Sequence, residues 1–202
     1  AKSGVIHLCT GIHAIHYFLT QEAAHVASQQ EVGVETKMTL SFADSPIDSG
    51  GGASFNTARW MILNESAGGL ALSTVIPSQA ALHIGDLLGL KPDSAPNWGL
   101  AVVRWAKSAN GDAAPLDIGA QMLAPSAQAV SIATAEHDTF EPALLLPELA
   151  ALKQPASLIC ARGIYKPARS ITLEVDGRRT NILLTRLLER TSSFERFQFS
   201  GF

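Results

Sequence analysis

Between the apolar runs Trp60–Leu63 and Leu70–Leu72 lies Asn64-Glu65-Ser66-Ala67-Gly68-Gly69, where short polar side chains meet bare backbone. Asn64 and Ser66 can each bond nearby backbone N–H groups and so hold a tight turn. Gly68 and Gly69 permit positive φ and let a ligand come close to the main chain. Such a surface suits hydrogen bonding to a nucleobase edge or a phosphate. The same residues also make a well-formed bulged hairpin that binds nothing, and pattern alone leaves both readings open.

Other reactive residue types lead less far. His7, Cys9 and His13 share a parity on strand spacing, and such groups serve zinc or copper sites. They have no carboxylate at ligand spacing, and His16 falls on the opposite parity, so no metal site is expected. Cys9 and Cys160 lie 151 positions apart, which is neither a disulfide framework nor a Cys-x-x-Cys zinc site. Both read as small buried hydrophobes. There is no Gly-x-Ser-x-Gly elbow. Gly50–Gly52 are not followed by the Lys-Ser/Thr and helix of a P-loop. Glu136, Asp138 and Glu141 read as an acidic loop, not an acid–base pair. No catalytic residue, enzyme activity or cofactor is expected.

The elements that must position these residues are short. Gly, Pro and Ser punctuate apolar runs of strand length. Strands are predicted at Gly4–Thr10, Ile12–Leu19, Val34–Phe42, Thr57–Leu63, Gly69–Ser73, Ala81–Leu90, Trp98–Lys107, Leu116–Leu123 and Ala129–Thr134. Ser157–Ala161, Ser170–Val175, Arg179–Arg190 and Phe194–Phe199 complete the set. Arg179–Arg190 also fits a helix, and Gln21–Gln30 can form one. Asn110-Gly111 and Asp176-Gly177 are hairpin dipeptides. Ala43–Asn56 reads as a linker, Glu136–Pro142 as a boundary and Ala143–Leu152 as a short helix or turn. No repeat at a fixed period stands out. Turns at intervals of this kind argue for an antiparallel barrel or sandwich.

With 202 residues, one large domain or two small ones are expected. No stretch approaches the ~18 apolar residues of a membrane span, and no signal peptide is visible. Charged residues make up only 16%, against about 25% in a typical soluble domain. With the Ala1 start, this suggests a fragment that sits against flanking domains. The formal charge of −3 hides an asymmetry. Residues 1–150 carry six basic and fourteen acidic groups, whereas residues 151–202 carry nine and four. The basic tail interleaves Tyr165, Phe194, Phe197 and Phe199, as single-strand binders do. Closure of a small core explains the aromatics more simply, so nucleic acid is not expected as a partner.

Asn64-x-Ser66-x-x-Gly69 resembles the (Asp/Asn)-x-Ser-x-x-Gly motif of PilZ domains, six-stranded barrels that bind cyclic di-GMP. Val102-Val103-Arg104-Trp105, a hairpin, and Ile118-Gly119-Ala120-Gln121 resemble the paired late strands of that barrel. The resemblance covers about Thr57–Ala135. Members that bind cyclic di-GMP also carry Arg-x-x-x-Arg before the first barrel strand, where planar guanidinium forks grip phosphate and stack on guanine. Here only Lys2 and Lys37 precede Arg59, and the literal Arg-x-x-x-Arg is Arg186–Arg190, far downstream.

The expectation is therefore a mostly-β protein with a PilZ-like antiparallel six-stranded barrel at 56–138. An N-terminal strand-rich segment and Gly/Ser linker (1–55) precede it, and a small basic C-terminal β module (139–202) follows. The resemblance implies a non-catalytic signalling module of the bacterial cytoplasm, with cyclic di-GMP as ligand. Asn64, Ser66, Gly68 and Gly69 would meet the ligand, with Arg59 and Arg104. A phosphate clamp would come from Arg162, Arg169, Arg178 and Arg179, or from a partner protein or flanking domain. The alternative is a ligand-free interaction module that docks through its basic tail or Phe-rich end.

Overall fold

The computed structural model describes residues 4–31, 55–74, 82–108, 115–150 and 153–201. It is mostly β. Strands β1 (Gly4–Thr10), β2 (Ala58–Ser66), β3 (Gly69–Thr74), β4 (Leu87–Pro92), β5 (Gly99–Ser108) and β6 (Leu116–Ala124) form the first half. The second half holds β7 (Gln128–Thr134), β8 (His137–Leu146), β9 (Ser157–Cys160), β10 (Ser170–Val175), β11 (Arg178–Arg190) and β12 (Glu195–Ser200). Among the described residues one α-helix, α1 (Ile12–Glu31), follows β1.

Each half closes into a six-stranded antiparallel barrel. The first runs β1-β2-β3-β6-β5-β4, and the second runs β7-β8-β9-β12-β11-β10 when read from its first strand. The cyclic order is the same in both. The sequence shows no period because the connections differ. In the first barrel α1 and the residues up to 57 separate the first two strands, whereas in the second a tight turn joins β7 to β8.

Several expectations change here. Ile12–Leu19, expected as a strand, is the first two turns of α1. Its β-branched and aromatic residues favour strand, but Ile12, Ile15 and Leu19 are buried at helical spacing and Phe18 stacks on Trp98. The N-terminal segment is not separate, since β1 pairs with both β2 and β4 and closes the first barrel. Strand β7, expected in the first barrel, pairs with β8 and β10 in the second. Residues 136–142 run from the turn into β8, and 143–146 continue that strand. The helical alternative for Arg179–Arg190 gives way to a strand with two bulges. Asp176 and Gly177, at φ 49° and 77°, make the hairpin turn their dipeptide predicts. Val34–Phe42 and Asn110-Gly111 lie outside the described residues.

Each barrel is filled by its own inward side chains. Trp60, Ile6, Leu72 and Ile118 help fill the first, and Ile132, Leu173, Ile182 and Phe197 the second. A third cluster joins the two. It brings Ile15 and Leu19 of α1 together with Leu87, Leu100 and Val102 of the first barrel and Leu144, Ile159 and Phe194 of the second. Strand β5 explains the arrangement. Ala101 and Val103 point into the barrel, Leu100 and Val102 point into the joint, and from Arg104 onward the strand is exposed. His16 Nε2 donates to the Val130 carbonyl at 3.0 Å, adding a polar tie between helix and second barrel.

Candidate ligand site

The site is built where four strands of the first barrel, β2, β3, β6 and β5, run side by side. Strands β2 and β3 meet at the pair Ser66–Gly69, leaving Ala67-Gly68 as a two-residue turn. Ser66 Oγ donates to the Gly69 carbonyl at 3.1 Å, and Asn64 Oδ1 accepts from the Glu65 N–H at 2.9 Å. Both contacts brace the turn locally and leave the side chains exposed. Neither glycine uses the positive φ that its residue type allows. Gly69 is needed for space, because a β-carbon there would strike the Ala120 carbonyl on β6.

Two β-bulges frame the turn. Leu63 is the extra residue on β2, between the pairs Ile62–Leu72 and Asn64–Ala71. Arg104 is the extra residue on β5, between the pairs Val103–Ala120 and Trp105–Gly119. A bulge bends a strand and re-aims a side chain, and here two consecutive residues, Arg104 and Trp105, are turned towards one surface. The Trp105 indole lies against Gly119, where any β-carbon would collide with it. Trp105 as a whole is 45% exposed.

Arg104 is held at two points. Its Nε donates to Gln121 Oε1 at 2.7 Å and its Nη1 to Glu189 Oε1 at 2.6 Å, the latter in the second barrel. Asn64, Ser66, Gly68, Gly69, Arg104 and Trp105 together line an open cavity of about 360 Å³, with Glu65, Gly119 and Gln121 on its walls. The arrangement offers an aromatic face, an amide and a hydroxyl, bare backbone and a guanidinium.

The structure brings Asn64, Ser66, Gly68, Gly69 and Arg104 together. Arg59 lies on β2 opposite His7, five residues and ~16 Å before Asn64. It does not line the cavity. Arg169 is bonded to the Ile164 carbonyl at 2.8 Å and to Glu136 at 2.9 Å. Arg179 pairs with Glu174 at 2.6 Å and lies over the Phe140 ring. Arg178 and Arg179 open β11 and Glu189 nearly closes it, a separation of roughly 30 Å along a strand. Arg162 sits in the turn that follows β9. None of these four lines the cavity. Reading the sequence by motif passed over Trp105, Gln121 and Glu189 as site residues. An Arg-Trp pair at the end of an apolar run is a visible signal for the first. Glu189 has none, being 85 positions from Arg104.

The early histidines separate. His7 pairs with Asp93 at 3.2 Å, and His13 is on α1. Burial lowers the His16 pKa despite the bond to Val130, with the charge of His13 adding to the effect. Among the described residues no group of His, Cys, Asp or Glu is placed to hold a metal. Both cysteines are buried free thiols; burial pushes Cys9 up to about 12 and raises Cys160 as well.

A six-stranded barrel carrying Asn-x-Ser-x-x-Gly between its second and third strands defines a class, and comparison agrees with it. Residues 46–129 match the family described as cyclic-di-GMP receptor FimW, middle PilZ domain. Residues 126–202 match the FimW C-terminal beta-barrel domain. The matches place a PilZ domain in the first barrel and a FimW-type C-terminal barrel behind it. Among curated proteins it is similar to the cyclic-di-GMP receptor FimW of Pseudomonas aeruginosa, with 31% identity over 142 residues. That alignment covers 68% of this chain, which spans 23% of the relative's length. No solved structure matches the chain.

Proposed function

We propose that this chain is a non-catalytic receptor module for cyclic di-GMP, with the cavity between β2, β3, β5 and β6 as its site. The observation that carries the reading is the convergence of the Asn64–Gly69 turn with Arg104 and Trp105 on one surface. In this reading Trp105 stacks on a guanine, as exposed aromatic side chains do on bases. Asn64 and Ser66 meet a base edge or a phosphate, and Gly69 lets the ligand approach the backbone. Arg104 serves a phosphate with donors not engaged by Gln121 and Glu189. Five guanidinium N–H groups are available in principle, and two are used.

One arginine facing a ligand with two phosphates makes the site weak by itself. Each missing charged hydrogen bond forgoes about 1.5–3 kcal/mol. The arginines that complete it come from a flanking segment or a partner. The similarity to a named cyclic-di-GMP receptor supports a signalling role, which we place in the bacterial cytoplasm.

Isothermal titration of cyclic di-GMP into the chain tests this. Saturable binding is expected, weakened about tenfold or more by Asn64→Ala and by Trp105→Ala, in line with ~1–3 kcal/mol per stacked base. No heat at tens of micromolar protein, in this chain and in a longer one carrying its neighbours, overturns the reading in favour of a ligand-free interaction module.

A further inference from the structure

We infer that Glu189, although it belongs to the second barrel, is a positioning residue for the ligand site of the first. The inference rests on the proposed binding role of that cavity. Arg104 is the bulge residue of β5, so its side chain leaves the regular alternation of the strand and needs external support. Two groups supply it. Gln121, from the neighbouring β6, takes Nε, and Glu189, from the end of β11, takes Nη1. The Glu189 side chain is 18% exposed against 42% for Arg104, so the carboxylate is the sheltered anchor and the guanidinium the outward end.

The anchor is itself fixed. Just beyond it the β11–β12 turn rests on the first barrel, where Ser193 Oγ donates to the Gly85 carbonyl at 2.7 Å. A β-carbon at Gly85 would lie 3.1 Å from Thr191 Cβ, so the two backbones are in close apposition. The Gly85 N–H in turn donates to the carbonyl of Val103 at 2.9 Å, the residue before Arg104. Arg104 is thus braced through its side chain by Glu189 and through the preceding peptide by the turn that follows Glu189. A long, flexible side chain held in a plane at two points loses less freedom when a ligand arrives. The second barrel therefore completes the site of the first without touching the ligand.

Two measurements on the whole chain test this. The first needs no ligand. The Arg104 Nη1 proton resonance, whose hydrogen bond Glu189 accepts, should be resolved and slowly exchanging in the unsubstituted chain and in Glu189→Gln, which keeps an acceptor. It should collapse to the position of a free guanidinium in Glu189→Ala. An unchanged resonance in Glu189→Ala overturns the inference. The second is a double-mutant cycle on cyclic di-GMP affinity. Glu189→Ala should weaken binding about tenfold, Glu189→Gln less, and Glu189→Ala should have no further effect once Arg104→Ala is present. Equal or tighter binding by Glu189→Ala, or an equal loss in both backgrounds, overturns it. If the unsubstituted chain gives no heat, the binding proposal fails, while the resonance still decides whether Glu189 holds the guanidinium.

Discussion

In the first barrel the second and third strands meet over a two-residue turn at Ala67-Gly68. In the second barrel the equivalent strands, β8 and β9, are joined by residues 147–156, which contain no glycine, asparagine or serine. The strand order is otherwise the same, so the barrel alone does not make a site. The charges divide in the opposite sense. The second barrel has most of the arginines but turns several on itself, as in Arg169–Glu136, Arg179–Glu174 and Arg190–Glu195. The first has few, and the one at its cavity is turned outward by a bulge. Divided at the start of β7, residues 1–127 carry six basic and ten acidic groups and residues 128–202 nine and eight, so the acidic excess belongs to the barrel with the proposed site and the basic groups of the second are nearly matched by carboxylates. Arg104–Glu189 is where the two meet.

The largest effect is expected where the barrels share apolar contacts. Phe194 is fully buried in the cluster that joins them. Phe194→Ala should cost ~3–5 kcal/mol. All three tryptophans, Trp60, Trp98 and Trp105, precede the second barrel. Trp60 fills the first barrel and Trp98 lies in the cluster that joins the two, so their fluorescence reports on the first barrel and the joint, while far-UV circular dichroism reports on both barrels. Coincident midpoints by the two probes, shifted together by Phe194→Ala, are expected. A fluorescence midpoint that stays fixed while the dichroism midpoint falls would show two independently folding barrels.

A smaller effect, confined to the second barrel, should follow from Glu195. Its side chain is almost fully buried, yet it accepts from the Tyr165 N–H at 2.9 Å and from Arg190 at 2.8 Å. Burial works to raise its pKa, but the backbone donors of Tyr165 and Gly163 together with Arg190 outweigh burial and hold it below the usual carboxylate value. A folded pKa below the unfolded one means that the unfolded chain binds the proton more readily. The stabilisation is then present above the ordinary glutamate value and is lost as pH falls through the lower folded one. Glu195→Gln should cost about 1.5–3 kcal/mol at pH 7 in urea denaturation, and the gap from the unsubstituted chain should narrow towards pH 3. A gap that does not change with pH would remove the charge from the account.

The parts legible in the sequence were those set by neighbours along the chain. The Asp176-Gly177 turn and the Asn64–Gly69 turn each follow from which residue types tolerate which local geometry. Gly4–Thr10 forms the strand that its short apolar run predicts. What escaped depended on distant contacts. Ile12–Leu19 satisfies strand and helix patterns alike, and only the apolar joint between the barrels makes the helical spacing of Ile12, Ile15 and Leu19 the better one. Strand β7 looks like any other strand, and nothing local says which barrel it pairs with. The bulge at Arg104 is a difference in residue count between two paired strands, visible only once their register is known. The helper at Glu189 comes from the far end of another barrel.

The smallest effect is expected from the arginines that composition alone would nominate as a phosphate clamp. Arg178 and Arg179 start β11, while the residue that reaches the first barrel, Glu189, stands near its end. The Arg179 side chain is 64% exposed and paired with Glu174, and such surface pairs contribute about 0.2–1 kcal/mol. The double substitution Arg178→Ala/Arg179→Ala should therefore shift the melting temperature little and leave the dissociation constant for cyclic di-GMP unchanged at fixed salt. Charges ~30 Å away along the strand lie beyond the Debye length of roughly 8 Å at physiological ionic strength, so screening removes their field from the cavity. A severalfold loss of affinity would place them on the ligand after all. It would require a second copy of the chain, or a rearranged joint between the barrels, to carry them there. A loss that grows with protein concentration would identify the second copy.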